Sequence, residues 1–313
     1  MIFAKLKALG VLGMNSRIGE FMLPHNSRKD YPKVDDKVVT AELAARHGIP
    51  MPDNYRVIES FGELRNLGET LAPHDTFVIK PARGSMGNGI IVVTGRAEEQ
   101  FIRAGGSHTT LRNLRYHMAQ ILGGLYSING YPDRAIVQYM IRMHPVFNDI
   151  SFNGVPDIRV IVFRGFPVMA MTRLPTGESG GRANLHQGAL GVGIDLARGV
   201  TTHCVHHNRI IAAHPDTGRP LAGIAVPQWK DILHMAVKGY ELSGLGYLGV
   251  DIALDRERGP LVLEMNARPG LAIQLANLTG LKKRLMPFME LDLSGMDAKA
   301  RVKKALEIIE RAE

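Results

Sequence analysis

The strongest constraint on this chain lies in two neighbouring segments, "GVDIALD" (Gly249 to Asp255) and "PLVLEMN" (Pro260 to Asn266). Both are apolar enough for buried strands, and Arg256 to Gly259 between them supply a turn, so the pair reads as a hairpin. With that loop Asp255 pairs with Pro260, and Asp251 lies directly opposite Glu264. Side chains alternate along a strand, so Glu264 and Asn266 share one face, and on this reading Val262 shares it with them. Carboxylates opposed across a sheet destabilise it, and two that close do not both stay ionised without help. A divalent cation between them removes the conflict. Two carboxylates and an amide oxygen form an all-oxygen set suited to Mg2+, which keeps its other positions for water and phosphate. Asp251, Glu264 and Asn266 are the expected metal ligands. The competing reading is an exposed hairpin with solvated acids, and the flanking apolar residues argue against it.

A second stretch, "FVIKPARGSMGNGIIVV", places Lys80, Gly84, Ser85, Gly87 and Gly89 between two apolar strands. Glycines let backbone amides approach an anion closely, and a lysine at the strand end adds a point charge. No Gly-Lys-Ser/Thr follows, so this is not a P-loop, and the β-loop-β form is closer to the kinase cover over nucleotide phosphates. An ordinary hairpin turn explains the glycines equally well. Guanidinium groups suit phosphate and acyl-phosphate oxygens. Arg159 shares a strand face with Asp157, Arg173 closes the partner strand, and Arg182 stands with Asn184 in "GGRANLHQG". Singly each is an ordinary surface charge; together they suggest a transfer site.

The order of elements predicts an α+β protein. Asp35 and Asp36 cap a helix running to about His47, ended by Gly48 and Pro50. The strand "NYRVI" and a helix near Phe61 to Leu67 follow, then the glycine-loop strands, a helix from about Leu111 to Leu125 and the strand "RAIVQYMI". "DIRVIVF" and "PVMAMTRL" form a hairpin through Arg164 and Gly165, and a helix at Gln228 to Leu242 precedes the metal-site hairpin. The tail has helical spacing at Val302, Leu306 and Ile309. We divide the chain into an N-terminal extension and helix (1–50), a small lobe with the glycine loop (51–135), a large lobe with the metal site (136–290) and a C-terminal helix (291–313). The N-terminal run, broken by Lys5 and Lys7, reads as part of the folded protein and not as a signal peptide.

At this point the motifs "DDKVVTAELAARHGIPMP", "FVIKPARGSMGNG", "IVQYMI", "DIRVIVF", "GRANLHQG" and "GVDIALD…GPLVLEMNARPG" resemble, in order, the ATP-grasp superfamily. Within it the chain is most similar to the ribosomal-protein glutamate ligases and the α-L-glutamate ligase-like proteins, from about Val34 to Leu281. The resemblance implies an ATP-grasp fold, two α+β lobes of antiparallel sheet and helices with ATP held between them and Mg2+ on the last hairpin, Mn2+ being the alternative ion. Carried over by position, Asp251, Glu264 and Asn266 match the metal ligands and Lys80 the phosphate-binding lysine, with Gly84, Ser85 and Gly87 beside it. Lys37 matches an earlier nucleotide-contacting lysine, Gln138 and Tyr139 the adenine hinge, Asp157 a polar nucleotide contact, and Arg182 with Asn184 the Arg-x-Asn pair near the phosphates. Arg159, Arg173 and Arg268 are the candidates for the transferring phosphoryl group and the substrate carboxylate. Three departures bear on the acceptor: only some thirty residues precede the first motif, the segment from Gln138 to Asp157 is long, and the hinge has Gln138 where many relatives have an acid.

The implied activity is an ADP-forming carboxylate–amine ligase acting through an acyl phosphate, with glutamate or an acidic peptide as a substrate. A phosphotransferase releasing a phosphorylated product and a non-catalytic nucleotide-binding protein are the alternatives. Partners are a small molecule or a peptide. The net charge of +8 comes from scattered basic residues with aromatics at 6%, so no nucleic acid is expected. No apolar stretch reaches the roughly 18 residues of a membrane span, a single cysteine suits the cytoplasm, and a homo-oligomer is left open. "HCVHHNR" (Cys204 within it) is set aside as a metal site, because a strand would split its residues between faces.

Overall fold

The computed structural model describes residues 2–84, 87–127, 130–292 and 294–311. The chain forms two compact units, one of residues 36–42 and 51–141, the other of residues 1–35, 43–50 and 142–313. Each is built on one antiparallel sheet.

The smaller unit holds β1 (Asn54–Ile58), β2 (Phe77–Pro81), β3 (Ile91–Ala97), β4 (Gln100–Arg103), β5 (His108–Thr109) and β6 (Ala135–Gln138), in the order β1-β6-β2-β3-β4-β5. Because β6 hydrogen-bonds both β1 and β2, it stays with this sheet, and the unit ends after Ile141, not after residue 135. One side is covered by the helix Leu111–Leu122, whose Leu114, Met118, Ile121 and Leu122 recur at helical spacing and pack on Phe77, Ile79 and Val93. Ser60 and Glu63 form a capping box that starts the segment Phe61–Asn66, a 3-10 helix continued by the α-helix Leu67–Leu71. On the other side Val38 packs on Ala82 and Ile136. The helix Lys37–Arg46 is capped by Asp36, which accepts from Val38 N at 3.1 Å; Asp35 instead ends the preceding turn, Pro32–Asp35.

The larger unit contains β7 (Asp157–Phe163), β8 (Phe166–Leu174), β9 (Leu190–Asp195), β10 (Val200–His206), β11 (Arg209–Ile211), β12 (Tyr247–Asp255) and β13 (Gly259–Asn266), in the order β11-β10-β9-β8-β7-β12-β13. Every residue of β7 and β12 is buried, so both faces of the central strands are covered. The helix Trp229–Ser243 packs on β7, β8, β12 and β13, and the helix Ala298–Glu310 packs on that helix and on β8. The helix Trp229–Ser243 comes close to the sheet at Gly239, where an added Cβ would lie 3.1 Å from both Leu248 and Val250 and 3.4 Å from the Met265 sulfur. That face of the sheet is therefore the apolar one. Strand alternation turns Asp157 and Arg159 of β7, and Gly249 and Asp251 of β12, to the opposite face.

The hairpin of β12 and β13 departs from the expected register in two places. Asp255 pairs with Gly259, so the turn is Arg256 to Arg258, and Gly259 takes the left-handed conformation (φ 73°) that closes a three-residue loop. Ile252 then pairs with Val262, while Asp251 pairs with Glu264, which leaves Leu263 as the extra residue of a β-bulge. The two one-residue shifts cancel at Asp251, which stands opposite Glu264. They do not cancel at Val262, which the bulge turns to the helix-covered face with Met265, away from Glu264 and Asn266.

Candidate active site

The polar face is assembled across four adjacent strands. Asp251 pairs with Glu264 on one side and with Arg159 on the other, Asp157 pairs with Arg173, and Gly249 pairs with Asn266. Directly paired residues share a face, so Asp157, Arg159, Arg173, Asp251, Glu264 and Asn266 form one continuous array.

Asp251 is its anchor. Its side chain is fully buried; Oδ1 accepts from Arg159 Nε at 2.7 Å, and Oδ2 accepts from Arg159 Nη2 at 2.5 Å and Arg173 Nη2 at 2.8 Å. Arg173 also forks onto Asp157, with Nε 2.6 Å from Oδ1 and Nη2 bonded to Oδ2. Among the described residues, the Nη1 amino group of neither arginine makes a hydrogen bond.

The electrostatics follow from burial and pairing. Burial raises the Asp157 carboxyl to about 6, with Arg173 opposing that shift and Asp251 adding to it. Burial acts the same way on Asp251, but Arg159 and Arg173 outweigh it and hold this carboxyl well below the usual range. Burial alone would lower Arg173; Asp157 and Asp251 reverse that and raise it. Three carboxylates face two guanidinium groups, a formal excess of one negative charge. Such a face is suited to a cation.

The donor chemistry meets the same test. Asn266 Nδ2 lies 3.2 Å from Asp251 Oδ2 and 3.2 Å from Glu264 Oε1. Adjacent ligands on an octahedral Mg2+ at about 2.1 Å are about 3.0 Å apart, so the Asn266 amide stands near ligand spacing from each carboxylate. The amide's O and N ends exchange by a half-turn that such networks decide. Asp251 is buried and Glu264 and Asn266 are half-buried, so an ion would meet the last two from the open side. The residues fit an oxygen-bound divalent cation.

The other candidates lie as follows. Arg268 is outside the array: its guanidinium stacks over Tyr31 at 4.6 Å and stands 3.9 Å from Asp35. Arg182 is exposed, and Asn184 Oδ1 caps a short turn by accepting from His186 N at 3.0 Å. In the smaller unit Lys80 is buried at the end of β2, and Lys37 Nζ donates to Gly84 O at 2.8 Å. Gly87 and Gly89 both have φ of 75°, which a Cβ would strain, so the loop needs glycine there. Ser85 lies outside the described residues. Gln138 Nε2 donates to Asn54 Oδ1 at 2.7 Å, and Tyr139 N to Asp53 O at 2.8 Å, fixing the segment after β6.

Two supports had no signal in the sequence. Asn26 mimics a strand partner at the start of β12, accepting from Tyr247 N and donating to Tyr247 O, both at 2.8 Å. Asp36, besides capping its helix, accepts from Arg83 at 2.8 Å and from Arg134 at 2.7 Å through both oxygens. Each replaces backbone or charge partners brought from far along the chain.

Several known proteins are similar to this chain. A probable α-L-glutamate ligase of Aeromonas salmonicida (strain A449) is 27% identical over 272 residues, 86% of this chain and 68% of that protein. Among solved structures, the ATP-grasp ligase PsnB with a minimal precursor matches with a TM-score of 0.44 and 15% identity over 84% of this chain. The chain spans 63% of that ligase's length. A RimK domain ATP-grasp protein of Sphaerobacter thermophilus DSM 20745 matches with a TM-score of 0.47 and 11% identity, over 85% of this chain and 71% of that one. Residues 16–289 match the family described as sugar-transfer associated ATP-grasp, and the chain belongs to that family.

Proposed function

We propose that the chain is an ATP- and Mg2+-dependent carboxylate–amine ligase working through an acyl phosphate. The observation that carries this reading is the single polar face shared by Asp157, Arg159, Arg173, Asp251, Glu264 and Asn266. In the first half-reaction the γ-phosphoryl group leaves ADP and bonds to an oxygen of the substrate carboxylate. An amine nitrogen then attacks the acyl carbon, the C–N bond forms, inorganic phosphate departs and the amine's proton passes to solvent.

Asp251, Glu264 and Asn266 would hold Mg2+, which when bound would neutralise phosphate charge and orient the transferred group. Asp251 and Asp157 clamp Arg159 and Arg173 through Nε and Nη2. The remaining amino groups then meet developing negative charge without first reorganising, which is how fixed donors lower a barrier. Asp157 acts through Arg173. Lys80, Lys37 and the backbone at Gly84 and Gly87 are the phosphate contacts we assign, with Ser85 beside them. Gln138 and Tyr139 would bind adenine, and Arg182 with Asn184 would contact the phosphates.

For the substrate we favour glutamate or an acidic peptide. Arg159 and Arg173 keep amino groups beyond their carboxylate pairs, Arg182 and Arg268 are exposed, and the relative in Aeromonas carries a glutamate ligase name. The buried free Cys204 fits a reducing cytoplasm, and among the described residues no helix is long and apolar enough to cross a membrane. The test is ADP and phosphate release over a panel of carboxylates and amines, amino sugars included given the family's association with sugar transfer, with mass spectrometry of products. Phosphate that appears only with an amine present supports the ligase; a phosphorylated product released without an amine refutes it. Arg268→Ala should raise KM for the acidic substrate far more than KM for ATP, and an equal rise in both would reject the role given to Arg268.

A further inference from the structure

The turn between β10 and β11 carries a second donor cluster, of a different chemistry. The objection to "HCVHHNR" as a ligand source was that a strand sends adjacent residues to opposite faces. His206, however, ends β10 and His207 begins the turn, with φ of 45° at His207 and 64° at Asn208. Two successive left-handed residues make the tight turn in which His206 pairs with Arg209. Alternation stops there, and the two imidazoles lie side by side with ring centroids 4.2 Å apart.

A third group comes from another segment. Glu178, in the connection between β8 and β9, receives both rings: its Oε1 is 2.8 Å from His207 Nε2, and its Oε2 is 3.0 Å from His207 Nε2 and 3.2 Å from His206 Nε2. His206 Nε2 also lies 3.1 Å from Gly188 O. Glu178 packs so closely over Gly188 that an added Cβ would come 2.8 Å from its carboxyl carbon. Two imidazole nitrogens and a carboxylate thus converge on one point. Donors around a tetrahedral Zn2+ at about 2.0–2.1 Å are about 3.3 Å apart, a few tenths of an ångström wider than these distances.

We propose that Glu178, His206 and His207 form a site for a zinc-class dication, with a fourth position open to water. Imidazole favours such ions, whereas Mg2+ prefers an oxygen-only set, so this site and the carboxylate–amide face would take different metals. On binding, His206 exchanges its contact with Gly188 O for the ion, and each ring gives its Nε2 lone pair while the proton sits on Nδ1. The ion would fasten the β8–β9 connection, which carries Arg182 and Asn184, to the β10–β11 turn. The cluster thereby becomes a metal-dependent brace on that connection.

The test uses the untagged chain stripped with a chelator, then titrated with ZnCl2 against a chromophoric zinc chelator in excess MgCl2. One tightly held equivalent is expected, with hydrogen exchange slowed across 176–188. His207→Ala and Glu178→Gln should each weaken zinc binding at least tenfold, and His203→Ala, on the same strand outside the cluster, should leave it unchanged. The two weakened variants lie on separate segments, so misfolding of one leaves the other to decide. No equivalent retained against the chelator overturns the proposal. So does wild-type affinity in His207→Ala and Glu178→Gln, which would put the zinc elsewhere.

Discussion

Asp251→Asn is the substitution for which the polar face makes its most demanding forecast. The carboxylate is 0% exposed and takes three arginine N–H groups and the Asn266 amide, at 2.5 to 3.2 Å. Asparagine supplies one acceptor oxygen and turns an NH2 against a guanidinium N–H. It also removes the negative charge that offsets two buried cations. Breaking one partner of a buried ion pair costs about 3–5 kcal/mol, and in a unit of this size each kcal/mol moves Tm by about 2–4 °C. The expected loss is about 6–20 °C, read by circular dichroism. The comparison is Glu264→Gln, half-buried and isosteric, which should melt within about 3 °C of the parent while ADP release falls at least about 100-fold. An Asp251→Asn Tm within 2 °C of the parent, on the scale of surface changes, would refute the reasoning that this carboxylate organises the face.

The same polar face sets the pH response. Asp157 titrates at about 6, above its unfolded value, so the native state binds the extra proton between about 4 and 6. Its contribution to stability is full below the unfolded pKa and is lost as pH rises through 6. Asp251 is shifted the other way, so its contribution is present above the unfolded pKa near 4 and is lost as pH falls below that value. Removing the Asp251 charge takes away one cause of the Asp157 shift, so the decline between pH 4 and 6 should flatten in Asp251→Asn. Urea midpoints across that range measure it, and an unchanged slope counts against the coupling of the two acids.

Saturating ATP with Mg2+ should slow hydrogen exchange of the backbone from Lys80 to Gly89 and raise Tm by linkage; unchanged exchange there would sink the phosphate role of the glycine loop. Cys204 is 2% exposed and burial pushes its thiol up to about 12. Alkylation at pH 8 should therefore be at least about a thousandfold slower in the native chain than after denaturation, and comparable rates would show that β10 opens. Arg134→Met strips the buried Asp36 of a bidentate partner and should cost about 3 kcal/mol, seen as a lower urea midpoint; a cost under about 0.5 kcal/mol would mean Arg83 alone suffices.

What the sequence made legible was chemistry carried by neighbouring residues. Opposed acids in apolar strands, a lysine before clustered glycines and an Arg-Gly turn each announce a local geometry, and the Arg164–Gly165 hairpin forms with Phe163 paired to Phe166. The turn at Gly259 is marked by its glycine, yet the bulge at Leu263 is marked by nothing, since a leucine fits either register. Glycine, threonine and histidine interrupt the apolar alternation of β9 and β10, and β11 is only three residues long, so no periodicity marks these strands.

Contacts across long separations were the other loss. Asp36 reaches Arg134 and Glu178 reaches His207 only because the sheets bring distant segments together. The second case shows how a sound local rule can mislead. Strand alternation does separate His203 from Cys204, and it fails one turn later, where two left-handed residues end the strand. Periodicity alone does not place the imidazoles of a motif that runs into a turn, and Glu178, their partner, lies on a different segment. The pairing of Asp251 with Glu264 withstands the same kind of error because the two register shifts have opposite sign, and because Asp251, with partners on both neighbouring strands, is fixed by pairing and not by counting from the turn.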